Sequence, residues 1–102
     1  SEAQAQRVTI SGKVVDRETR EPLPFASIGI KGKSNGTITN LQGEFDFHLP
    51  AGFTQEVFVV NTLGYQGFEA VVSSMLQQKN VVIELEKSTI VLQEIWVSDT
   101  LT

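Results

Sequence analysis

His48 is the only histidine in the chain, and Asp46 stands two residues before it. On a strand these two side chains share a face, so the carboxylate could orient the imidazole as a base if a serine arrived from another strand. The alternative is a solvated histidine on a strand face, and one histidine without further signal favours it. Zinc needs three or four His, Cys or carboxylate ligands, and a chain with one histidine and no cysteine falls short. Asp16, Glu18 and Glu21 crowd one segment and offer hard oxygens, yet they lack the D-x-[DN]-x-[DN]-G order of a calcium loop, so a solvated charged loop is expected. Gly32-Lys33-Ser34 matches the end of a phosphate-binding loop, but Ser27 stands where the first glycine should be and no helix is expected to follow. Asn35-Gly36-Thr37 fits the N-glycosylation pattern, although Asn-Gly is equally a hairpin signal. Phe53, Tyr65 and Trp96 could stack on a sugar, or simply cap the ends of a core. No catalytic, cofactor-binding or metal-binding residue is therefore assigned.

The elements that must position these residues are short strands. Gly36 to Leu49 reads as a hairpin: Thr37-Ile38-Thr39 is β-branched, Asn40-Leu41-Gln42-Gly43 is a turn, and Phe45, Phe47 and Leu49 then alternate with Glu44, Asp46 and His48. Pro50 has no N–H for a continuing ladder and ends the strand. Upstream, Arg7 to Asp16 alternates, with Val8, Ile10, Gly12 and Val14 on the core face and Val15 on the other. Asp16 to Pro24 is a loop with two prolines, and Phe25 to Lys31 is a strand turning Ala26, Ile28 and Ile30 inward. Downstream, Val57-Phe58-Val59-Val60 has the continuous apolar pattern of a central strand covered on both faces. Leu63 to Gly67 turns into a strand over Phe68 to Val72, and Ser73 to Gln78 fits one helical turn with a serine cap. Val81, Ile83 and Leu85 alternate with Val82, Glu84 and Glu86, and Thr89 to Val97 is apolar and β-branched again.

About seven one-sided strands with turns at short intervals predict an all-β protein, a seven-stranded antiparallel β-sandwich, with a small closed barrel as the alternative. At 102 residues and 40% hydrophobic content the chain is one domain with a core of its own. A net charge of −4 without a Lys/Arg cluster argues against nucleic acid. No apolar run approaches the roughly 20 residues of a membrane-crossing helix, so direct membrane insertion by this segment is not expected. Ala3-Gln4-Ala5-Gln6 has the small-x-small spacing seen around signal-peptide cleavage sites. Residues 1–6 accordingly read as the mature start of an exported protein, with Ser1 a cloning remnant.

The order of motifs resembles the carboxypeptidase-regulatory-like domain. The residues that carry the resemblance are Ile10-Ser11-Gly12-Lys13-Val14-Val15-Asp16, Glu21-Pro22-Leu23-Pro24-Phe25-Ala26-Ser27-Ile28, Gly36-Thr37-Ile38-Thr39-Asn40, Gly43-Glu44-Phe45 and Leu63-Gly64-Tyr65. Together they place the domain at residues 7–87. The resemblance implies a transthyretin-like sandwich without activity of its own. The variant with Glu-Pro-Leu-Pro is similar to the one found in Bacteroidetes, at the N-terminus of starch-utilisation-type TonB-dependent receptors, which implies an exported domain at the periplasmic face of the outer membrane.

Residues 88–102 are then the last strand or a linker with a coupling segment. Leu92-Gln93-Glu94-Ile95-Trp96-Val97 is similar to the L-x-E-V-x-V stretch of the coupling region, with Trp96 where a small apolar residue is usual. That resemblance implies a protein partner, the energy-coupling protein TonB or the rest of the receptor, met by Leu92, Glu94, Ile95, Trp96 and Val97 as an added strand. A carbohydrate-binding or adhesive sandwich is the alternative function. A transthyretin-like hydroxyisourate hydrolase is disfavoured by the single histidine and the missing Tyr-Arg-Gly-Ser ending.

Overall fold

A computed structural model describes residues 6–89. Seven strands follow in order: β1 (Arg7–Asp16), β2 (Ser27–Ile30), β3 (Gly36–Ile38), β4 (Glu44–Pro50), β5 (Val57–Asn61), β6 (Phe68–Val71) and β7 (Val81–Leu85). A short helix, α1 (Val72–Leu76), and a 3-10 turn at Ala51–Phe53 join them. One sheet has the order β4-β1-β7 and the other β3-β2-β5-β6. The expected seven-stranded sandwich is present, with one pairing of the other sense. β1 and β7 run parallel, with Gly12 beside Val81 and Asp16 beside Leu85, and every remaining pair is antiparallel.

The core lies where the inward faces meet. Period-two alternation puts Phe45, Phe47 and Leu49 of β4 inside with Ile10 and Val14 of β1 and Ile83 and Leu85 of β7. The second sheet meets them with Ala26, Ile28, Ile30, Phe58 and Val60. Phe58 is the joint. Its ring centroid lies 6.3 Å from Phe45 and 6.1 Å from Phe47, both on the facing sheet, and it meets Phe68 edge-on at 6.4 Å. Truncating such a side chain to alanine costs about 3–5 kcal/mol. Val72 and Met75 of α1 cover one end of this core.

Four local expectations change. Thr37–Thr39 and Phe45–Leu49 do not form a hairpin, because β3 joins β2 while β4 crosses to β1 in the other sheet. Asn40–Gly43 is still a turn. Asn40 Oδ1 accepts the N–H groups of Gln42 and Glu44 at 2.9 and 2.8 Å, and Gly43 adopts φ 76°. What sends the strands apart is Thr39, fully buried, whose Oγ1 accepts the Ala26 N–H at 2.8 Å and donates to the Leu23 carbonyl at 2.7 Å. Val15 is buried despite its place on the outward face, since the loop folds back over it and Pro22 bridges to it. β5 is central in its sheet, yet only Phe58 and Val60 are buried while Val57 and Val59 keep partial exposure. The helix begins at Val72, capped by Val71 without a side-chain hydrogen bond, and Ser74 Oγ donates back to the Val71 carbonyl at 2.7 Å.

Candidate functional site

Asp16 ends β1 with its side chain 4% exposed, and each of its oxygens is occupied. Oδ1 accepts the backbone N–H groups of Glu18 and Thr19 at 2.7 and 2.9 Å. Oδ2 accepts the Tyr65 hydroxyl at 2.7 Å and faces Lys87 Nζ at 3.5 Å. The Tyr65 hydroxyl, the two N–H groups and Lys87 together hold the carboxyl well below its ordinary value. Reciprocally, the carboxylate pushes the Tyr65 phenol from 10.0 up to about 12.

These contacts join three separate stretches at one pole of the sandwich. Tyr65 follows Gly64, whose φ of 88° bends the β5–β6 turn, and it bridges to Lys87 in the chain that leaves β7. Gln66 N–H donates to the Glu86 carbonyl and Ser88 N–H to that of Gly64, both at 2.8 Å. The charged loop is thus built around an already satisfied carboxylate. Glu18 and Glu21 are exposed. Among the described residues no group of three or more His, Cys, Asp or Glu is placed to hold a metal. Sequence reasoning missed the burial of Asp16 and its bond to Tyr65, which are separated by 49 positions. The signal available was a lone aspartate closing an apolar strand.

The outward face of β4-β1-β7 does bring a serine to Asp46 and His48. Ser11 Oγ donates to Asp46 Oδ1 at 2.5 Å, while His48 Nδ1 pairs with Thr9 Oγ1 at 2.9 Å. A nucleophile and its base must share a hydrogen bond. Here the serine is bonded to the carboxylate and the histidine to a threonine, in two neighbouring cross-strand pairs that follow the antiparallel register.

Of the three aromatics, the two among the described residues have partners of their own. Tyr65 is committed to Asp16, and Phe53 is half-buried with Lys33 Nζ 5.4 Å from its ring centroid. Gly32-Lys33-Ser34 lies in the turn from β2 to β3, a strand-to-strand connection, and Asn35 closes that turn. Trp96 lies outside the described residues, as do the other proposed partner-binding positions, Leu92, Glu94, Ile95 and Val97.

Two comparisons bear on the same architecture. The TonB-dependent receptor SusC of Bacteroides thetaiotaomicron is 36% identical to the chain over 94 residues, which are 92% of this chain and 8% of that receptor. The chain therefore corresponds to a small part of the relative's length. The sequence profile of the CarboxypepD_reg-like domain matches residues 10–97, from the middle of β1 to beyond β7. Matched over most of its length and folded as two sheets around one core, the chain belongs to the CarboxypepD_reg-like domain family.

Proposed function

We propose that this domain is a non-catalytic interaction module of a TonB-dependent outer-membrane receptor, held at the periplasmic face. In this reading it presents residues 92–97 to a protein partner, the energy-coupling protein TonB or another part of the receptor. The observation that carries it is the similarity to the SusC receptor across 92% of the chain. The chemistry of the described residues supports a module without a reaction of its own. The Asp16 carboxylate is filled by donors of its own fold, and Ser11 is bonded away from His48. The proposed segment suits strand addition. Leu92, Ile95 and Val97 supply apolar contacts, Glu94 interrupts them, and main-chain hydrogen bonds supply affinity.

The test is chemical-shift mapping of the labelled 102-residue chain titrated with the periplasmic C-terminal domain of TonB. Shifts confined to residues 89–98, lost when those residues are deleted from a chain that keeps its fold, support the reading. Shifts spread over the sandwich, or none at millimolar partner, would remove TonB as the partner of this segment.

A further inference from the structure

Three large apolar side chains stand in solvent at the pole where the described chain leaves the sandwich. Phe25 is 62% exposed, Leu41 66% and Leu63 98%. The fold brings their segments together. Leu23 N–H donates to the Val14 carbonyl, Val14 N–H to that of Gly43 and Phe25 N–H to that of Thr39, which sets the Phe25 loop and the Leu41 turn side by side at the C-terminal end of β1. Tyr65 reaches Asp16 at the end of the same strand, which brings the turn carrying Leu63 to that pole too. Phe25 also adopts φ 60°. A bulky side chain held there is strained, and strain kept on an exposed aromatic points to a use for its position.

The chain itself supplies an occupant. Ser88 is hydrogen-bonded to Gly64, beside Leu63, so residue 90 starts two positions from the patch. Residues 90–97 read Ile-Val-Leu-Gln-Glu-Ile-Trp-Val, with six apolar side chains in eight, and polar Ser98-Asp99-Thr100 follows. The family profile ends at the same place, residue 97, so this stretch belongs to the domain's own pattern. Its reach suffices. Eight extended residues span about 26 Å, whereas facing sheets lie about 10 Å apart. We propose that the Phe25, Leu41 and Leu63 pole is a docking face for the chain's own residues 90–97. A partner that takes this segment must then displace it from the sandwich. The docking itself does not depend on which partner that is.

Trp96 is the chain's one tryptophan, so intrinsic fluorescence reports on the segment alone. The 102-residue chain is compared with a peptide of residues 88–102 and with the double variant Leu41→Asp, Leu63→Asp. Both substituted side chains lie outside the core, and far-UV circular dichroism checks that the variant is folded. The expected result is emission blue-shifted from that of the peptide, with weaker acrylamide quenching, and loss of both differences in the double variant. Emission and quenching equal to the peptide's would overturn the proposal, as would a blue shift that survives both substitutions. A blue shift that disappears on dilution would assign the face to the segment of a second copy and overturn it equally.

Discussion

Each oxygen of Asp16 is met by donors from its own fold, and the consequence is a protein whose stability responds to pH at both ends of the scale. The Asp16 carboxyl is depressed in the folded state. Its contribution is thus fully present above the unfolded carboxylate value near 4 and is lost as pH falls below it. Tyr65 has the opposite sense. Its phenol is raised to about 12, so its contribution is complete below the unfolded value near 10 and disappears as pH rises through about 12. Tyr65→Phe should lower the urea midpoint at neutral pH, and the gap between variant and parent should close between pH 10 and 12. A gap that persists undiminished at pH 12 would mean that the hydroxyl is not the group involved. Thr39 makes a simpler case. Thr39→Val keeps the shape but strands the Ala26 N–H and the Leu23 carbonyl, and should cost about 3 kcal/mol in urea unfolding with an unchanged slope.

At the scale of elements, the pairing of β1 with β7 depends on one missing side chain. A Cβ on Gly12 would stand 2.1 Å from the Val81 carbonyl oxygen and 2.5 Å from its Cγ2, so the strands must separate to admit it. Gly12→Ala should destabilise by about 3 kcal/mol or more. Gly52→Ala, where nothing lies within 4 Å, is the matched control and should leave the unfolding midpoint almost unchanged. Equal midpoints for the two variants would show that β7 yields at no cost. The sequence displays the alternation that makes β4 and β7 strands, because burial of every second side chain leaves a direct trace. It does not display which sheet a strand joins. The Asn40–Gly43 turn has the same local chemistry in a hairpin and in a corner between sheets, and the choice is made by Thr39 bonding to residues 23 and 26. The parallel sense of β1 and β7 is equally non-local, since the paired residues lie about seventy positions apart.

For the whole molecule, the motifs that mark the family prove to be the parts that hold it together, which is why they reveal the fold better than a reaction. Asp16, Gly43 and Tyr65 sit in turns and buried contacts, while the positions proposed to meet a partner, Leu92 and Glu94 to Val97, follow β7 in the sequence. The same division sets how the sandwich opens. Phe58 from one sheet meets Phe45 and Phe47 from the other, so the sheets cannot part without exposing the aromatic core, and β1, β4 and β5 should behave as one cooperative unit. β3 is different. It has three residues at the edge of its sheet, none of them buried, and among the described residues it pairs only with β2. Native-state hydrogen exchange should show amides of Gly36–Ile38 opening first, with little denaturant dependence. The hydrogen-bonded amides of β1 and β5 should open at close to the global unfolding free energy. If β1 and β5 exchanged with clearly different free energies, the Phe45–Phe58–Phe47 contact would not couple the sheets. Exchange of β3 together with β5 would instead mean that Thr39, buried immediately after β3, ties that edge into the cooperative core.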